Sequence, residues 1–407
     1  MRALPLLFLL HPVRFRTNAL SSLVPPPLSK MTAAQQALAV EAMDYLDRST
    51  DPFHAVHSSV ELLQAAGFVA LGDREKVTAG GKYYYTVNRS TLVAFSVGDH
   101  IHKNAPAAPP FCIIGGHTDS PNLRIKPRSK RRAADCVQIG VECYGGGLWH
   151  TWFDRDLGVS GRVMVRVEDR IEQRLVQISR SLLRISNLAI HLQTAKEREA
   201  FTVNKEDHLS PILAMEVKKA LNKKSENADE ETAEKSNSDD GWSGHQEPAL
   251  LEVLAHAMTV NVSDIVDFEL SLFDLQPAAM GGAYAEFLHS SRLDNLASCF
   301  MAVKALADPE ALDDESISMI VLYDHEEVGS TSAVGAASPI LQQAMARLCQ
   351  DLELDETACI AKSLVLSSDQ AHALHPNYSS KHEKVSTRVF NRCSVSVVLS
   401  SQMASND

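Results

Sequence analysis

Five residues of this chain have the types and contexts that a hydrolase with two metal ions needs: His117 in GGHTDSP, Asp294 in SRLDNL, adjacent Glu326 and Glu327 in LYDHEEVGS, and Asp369 in LSSDQAHALHP. Such chemistry takes imidazole nitrogen and carboxylate oxygen around an open position for water. Two neighbouring ions also require one carboxylate that both share. On that logic His117 supplies the nitrogen, Glu327 and Asp369 are terminal carboxylates, and Asp294 is the bridge. Asp119, two residues beyond His117, is placed to accept the second ring proton and fix the tautomer. Glu326 stays off the metals, taking a proton from the attacking water and returning it to the leaving amine.

Each motif alone has a blander reading. Glu–Glu steps are commonly solvated, a lone HxD is commonly a capped turn, and Asp294 is a favoured residue type for capping a helix that starts there. The joint occurrence separates the readings. FCII precedes His117, ISMIVLY precedes the glutamate pair and SLVL precedes Asp369, so each motif follows an apolar β-type run. Open α/β sheets bind ligands at the carboxyl ends of their strands, where side chains remote in sequence converge.

The elements that must carry these residues follow from the pattern. A helix is predicted over residues 32–47, a turn at 49–52, and a second helix through HAVHSSVELLQAAG. YYYTVN and TLVAFSVG read as strands ahead of FCIIGG, being aromatic and β-branched runs punctuated by turn residues. Residues 135–190 hold further β-type runs, VQIGVECYGG, GRVMVRVE and RLVQIS, which look like a separate β-rich insert. Residues 221–247 are charged, rich in Ser and Asn and nearly without aliphatics, so they are expected to form a disordered surface loop. Helical pattern resumes at ALLEVLAHAM, and strand and helix signals alternate from Asp267 to about Asp369.

The 407 residues, 45% hydrophobic and 22% charged, leave room for two domains. A net charge of −12 argues against a nucleic-acid partner. The run Arg124, Lys126, Arg128, Lys130, Arg131, Arg132 is a local exception, read as a solvated loop or domain edge, with an anion-facing patch as the alternative. Seven cysteines without a CxxC pair suggest reduced thiols. No stretch reaches the roughly 18 apolar residues of a membrane span. Residues 1–30 carry no acid and begin with the apolar run ALPLLFLL, so a secretory or transit leader is one reading. An upstream extension before Met31 is the reading preferred here, with a cytoplasmic location.

The runs GGHTDSPNLRIKPRS, YGGGLWHTWFDRDLGVSGRV, RISNLAIHLQ, HLSPILA, QPAAMGGAYAEFLHSSRLDNLASCF, YDHEEVGSTSAVGA and DQAHALHPNYSSKHE resemble aspartyl aminopeptidase, a dinuclear zinc aminopeptidase family. The resemblance extends from about Met31 to Glu383. It implies an α/β fold, a zinc-exopeptidase-like three-layer catalytic domain with an inserted β-rich dimerisation domain. Residues 31–126 with 284–383 would form the first and residues 127–283 the second. It implies metal ligands His117, Asp294, Glu327 and Asp369, the general base Glu326, two zinc ions per complete site with manganese or cobalt as substitutes, and peptides with acidic N-terminal residues as substrates. It also implies a homo-oligomer, a dimer-based dodecamer, in which a histidine of the insert reaches a neighbour's reacting carbonyl; His191 in LAIHLQ is the match, with a structural histidine on a strand as the alternative. His372 and His375 are read as lining the pocket or packing a turn. A related dinuclear deacylase or carboxypeptidase shares the metal logic, but the insert motifs, RLDN and DHEEVGS favour the aminopeptidase.

After Glu383 the resemblance stops. Residues 384–407 do not resemble the family's continuation, which carries a lysine associated with the acidic-side-chain pocket and a last histidine ligand. The expectation is a C-terminally truncated or altered chain, inactive or nearly so. The alternative to an aminopeptidase is thus a catalytically incompetent subunit or assembly partner.

Overall fold

Alternate residues of one strand face two different cores. In Thr91–Val97, Leu92 and Ala94 join one buried cluster while Val93, Phe95 and Val97 join another; Ile317–Tyr323 divides the same way, Ile320 and Leu322 against Met319, Val321 and Tyr323. Period-2 alternation of apolar residues on both faces means a sheet covered on both sides. The first cover is helical: Tyr45 and Leu46 of Ala33–Arg48, Ala55 and Leu63 of Pro52–Ala65, and Leu296, Phe300 and Val303 of Leu293–Leu306. Across the sheet, Ile340, Ala344 and Leu348 form an i, i+4 stripe on Ile340–Asp351, with Cys359 of Glu356–Lys362 beside them. Helix, sheet and helix make the three layers.

This is a computed structural model, describing residues 3–5, 31–101, 108–216, 241–308, 312 and 314–382. The chain divides into two units, Met1–Ser120 with Pro277–Asp407, and Pro121–Gln276. The first helix starts where Thr32 and Gln35 form a reciprocal capping box, and the second where Asp51 accepts the amides of Phe53 and His54 ahead of Pro52 in its first turn.

The six-stranded sheet of the first unit runs Leu364–Ser367, Phe111–His117, Ile317–Tyr323, Thr91–Val97, Lys82–Val87, Val69–Ala70. Its first three strands are parallel, with Gly115 opposite Ser367 and His117 opposite Tyr323. Their carboxyl ends therefore lie side by side, and these are the three strands whose ends carry His117, the glutamate pair and Asp369.

The second unit is an antiparallel sheet in the order Ile212–Met215, Cys136–Tyr144, Asn122–Ala133, Ile265–Asp274, Leu157–Val167, Arg170–Leu183. Leu250, Leu251 and Leu254 of helix Pro248–Met258 close its core.

Two expectations change. Residues 241–247, assigned to the disordered loop on composition, are packed. Trp242 meets Phe268 edge-on at 5.2 Å, Gln246 and Glu247 are fully buried, and both bond to Ser129. A large aromatic contact and satisfied buried polar groups outweigh local polarity there. The basic run is not a loop but the strand Asn122–Ala133, next to the unit boundary at Pro121, and four of its bases pair within their own unit: Arg124 with Glu269, Lys126 and Arg131 with Glu206, and Arg132 with Glu216 and buried Glu247. Residues 217–240 and 383–407 lie outside the described residues, as do 1–30 apart from 3–5. Six cysteines among the described residues are free thiols, and no helix there is long and apolar enough to cross a membrane.

Candidate metal centre

His117 is the last residue of its strand and is buried. Its Nε2 lies 3.4 Å from Asp294 Oδ1, 3.6 Å from Asp369 Oδ1 and 3.7 Å from Glu326 Oε2. Two groups of donor atoms fall within 4.8 Å of one another: His117, Asp294 and Asp369, and His117, Glu326 and Glu327. The four ligands expected from the sequence and the expected base Glu326 are thus gathered, and His117 belongs to both groups.

The glutamate pair is presented by an unusual turn. The short helical turn Glu326–Val328 is bracketed by left-handed residues, His325 at φ 63° and Gly329 at φ 100°. Glycine is the natural residue for the second position. At the first, a bond between His325 Nδ1 and Ser332 Oγ at 2.8 Å holds the histidine ring. So folded, the backbone amides of Glu326 and Glu327 both donate to the Asp119 carboxylate, at 3.1 and 3.0 Å. Asp119 is fully buried.

This refines the role read for Asp119. The nearest acceptor for His117 Nδ1 is the Asp119 backbone carbonyl at 3.0 Å, while the carboxylate stands at 3.4 Å. A carboxylate between two amides and an imidazole fixes the glutamate turn as well as the ring. Spacing in HTD could suggest the second contact; nothing local announces the first.

Asp294 lies at the start of Leu293–Leu306, but its backbone (φ −84°, ψ 109°) is not helical, nor is that of Asn295, and the bond between them is cis. Asp369 follows the edge strand Leu364–Ser367 in a stretch without regular structure. The side chains of Glu326 and Asp369 are about half exposed, at 48% and 56%, against 22% for Asp294 and 6% for His117, so the cluster has an open side.

The donor set fits a divalent metal. A tetrahedral zinc with bonds of about 2.0–2.1 Å spaces its donors about 3.4 Å apart, close to the separations around His117 Nε2. The electrostatics agree. Burial by itself lowers the affinity of His117 for a proton, yet hydrogen bonding to Asp119 and Asp369 and the charges of Asp119 and Glu326 raise its pKa to about 10. Without a metal, the proton on His117 is the cation these carboxylates surround.

The remaining candidates are not in either donor group among the described residues. His191 is exposed on the short turn Ile190–Leu192 of the other unit, not on a strand. The His375 amide donates to His382 Nε2 at 2.9 Å and its Nδ1 accepts from the Asn377 amide at 3.2 Å, so His375 helps close the turn Pro376–Lys381; the His372 ring packs 5.6 Å from that of His382.

Against known proteins, the family model described as aminopeptidase I zinc metalloprotease (M18) matches residues 45–407. The match passes through residues 384–407, beyond the point where the motif resemblance stops. The chain is 43% identical over 383 residues to the aspartyl aminopeptidase of Aspergillus oryzae, covering 87% of this chain and 75% of that protein. It is 40% identical over 390 residues to aspartyl aminopeptidase 1 of Schizosaccharomyces pombe, covering 92% and 78%. Among solved structures, the cryo-EM structure of the Ape4 and Nbr1 complex matches with a TM-score of 0.78 at 38% identity, over 89% of this chain and 69% of that one. The S. cerevisiae mApe1 dodecamer matches with 0.72 at 27%, over 88% and 76%.

Proposed function

The chain belongs to the M18 zinc metalloprotease family of aminopeptidases, and from that premise we propose that it removes aspartate or glutamate from peptide N-termini with two zinc ions held by His117, Asp294, Glu327 and Asp369. The observation that carries this reading is the convergence of one imidazole and four carboxylates at the ends of three parallel strands. Bound zinc supplies Lewis-acid polarisation of the scissile carbonyl and a water nucleophilic near neutral pH. Manganese or cobalt would substitute through the same oxygen and nitrogen donors.

The protein's own contribution is placement. Asp294 would be the shared carboxylate in this reading, set beside His117 and Asp369, while Glu327 would complete the second group around His117. Glu326 is more exposed than His117 and stands on the amide pair that Asp119 holds. Its carboxylate takes the proton from water and delivers it to the departing amine.

The unit Pro121–Gln276 is the dimerisation domain in this reading. His191, flanked by exposed Ile190 and Leu192, acts on the carbonyl of a neighbouring subunit in a dodecamer such as the related mApe1 forms. The location is cytoplasmic.

A panel of peptides beginning with Asp, Glu, Ala or Leu, assayed with zinc and with a chelator, tests the proposal. Chelator-sensitive release of Asp and Glu alone supports it; equal release of all four removes the acidic specificity. A second reading, an incompetent subunit, is favoured by one observation: both donor groups share a single imidazole among the described residues. It predicts metal binding without turnover on any of the four.

A further inference from the structure

The first turns of Leu293–Leu306 are bonded to the segments that carry His117 and Asp369. Ser120 Oγ donates to the Asp294 carbonyl at 2.8 Å, and Cys299 Sγ to the His117 carbonyl at 3.0 Å. On the other side, Asn295 Nδ2 donates to the Ser368 carbonyl at 2.8 Å and Gln370 Nε2 to Ser298 Oγ at 2.8 Å. Asp369 sits between the two anchored residues, in a stretch with no helix or strand to hold it.

Among these ties, the one from Asn295 is the most direct. Asn295 adjoins Asp294 and Ser368 adjoins Asp369, so a bond from the first neighbour to the second fixes the separation of the two carboxylates. The residue is fully buried, and its Oδ1 has no hydrogen-bond partner among the described residues. A buried amide with one oxygen unmatched is costly, whereas leucine would fill the space without that cost. What asparagine adds is the donor to the Ser368 carbonyl.

We propose that Asn295 is a positioning residue that sets the spacing of Asp294 and Asp369 through the Ser368 carbonyl, and thereby the affinity and coordination geometry of the metal they hold with His117. This rests on the ligand assignment above. The role is specific to the donor: aspartate at this position would set oxygen against the carbonyl, and leucine would leave the Asp369 segment held on one side only.

The test compares the parent chain with Asn295→Leu, Asn295→Asp and Asp369→Asn. It measures zinc affinity by chelator competition, the visible absorption of the cobalt-loaded protein, and melting of the metal-free protein. Asn295→Leu and Asn295→Asp should weaken zinc about 10–100-fold, the usual effect of losing a residue that orients a ligand, and should shift the cobalt bands. Should Asn295→Leu fail to fold, Asn295→Ser, polar but too short to reach Ser368, gives the same comparison. Parent-like zinc affinity and cobalt spectrum in folded Asn295 variants, with zinc weakened in Asp369→Asn, would overturn the proposal and leave the ligand assignment standing. Parent-like zinc binding in Asp369→Asn would remove the assignment, and the proposal with it.

Discussion

Along Asn122–Ala133, Arg124, Lys126, Arg131 and Arg132 each reach an acid of their own unit, whereas around His117 four carboxylates converge on one imidazole. Both regions are dense in charge. On the strand these four bases are met by acids of their own unit, with Glu206 shared by Lys126 and Arg131, so most of the charge is already answered within the protein. The strand-end cluster has acids in excess and one proton-bearing ring among them, so a dication can replace that proton and complete it. What makes the strand-end cluster the candidate site is charge aimed at one point, not the density of charge in the sequence.

The sharpest way to break that contrast is Glu326→Gln. The amide keeps the shape and loses the proton acceptor, so kcat should fall on the order of a hundred- to ten-thousand-fold with zinc content unchanged. Loss of zinc would make Glu326 a ligand instead of the base. Asp119→Ala comes next. Removing a buried acceptor from two amides and the His117 ring should weaken zinc about 10–100-fold, measured by chelator competition; unchanged affinity would make Asp119 a packing residue.

The excess charge also has a pH signature in the metal-free protein. The folded pKa of His117, about 10, is above the ordinary 6.5, so the folded state holds the proton more tightly than the unfolded one. Its stabilisation is complete below about pH 6.5 and is lost as pH rises through about 10. Thermal melts of metal-free protein across that window should show falling stability, and His117→Ala should flatten the decline. In the second unit the effect should be purely structural. Glu247→Ala removes a helix cap and the partner of Arg132, and a lost cap typically costs about 1 kcal/mol. A lower melting temperature with parent-like zinc affinity is expected; altered zinc affinity would couple regions that the contrast keeps separate.

Much of this was legible in the residues. His117, Glu326 and Asp369 stand at ends of apolar β-type runs, and period-2 alternation with helix signals between strands is enough to place such ends together. The first two helices, expected over 32–47 and through HAVHSSVELLQAAG, are Ala33–Arg48 and Pro52–Ala65. The unit boundary was less so: the resemblance implied domains dividing at 126/127 and 283/284, whereas the strand runs from Asn122 through Pro127 to Ala133 with a register shift between Ile125 and Lys130, and the units divide at Pro121 and Pro277. A bulge is where a strand tolerates proline. Residues 241–247 misled because Gln246 and Glu247 look solvated until their partner Ser129, remote in sequence, is known. Asn295 and the amide-holding role of Asp119 were invisible for the same reason, since each acts on backbone groups that only the fold brings near.

The central claim is that the strand-end cluster is a metal centre bridged by Asp294. Zinc per chain, measured after dialysis in the parent, Asp294→Ala and His117→Ala, tests it most directly. The account predicts a zinc-bearing parent, loss of both ions together from Asp294→Ala, and loss of mainly one from His117→Ala. A zinc-free parent, or zinc retained in Asp294→Ala with only the roughly 1 kcal/mol destabilisation of a lost helix cap, would contradict it.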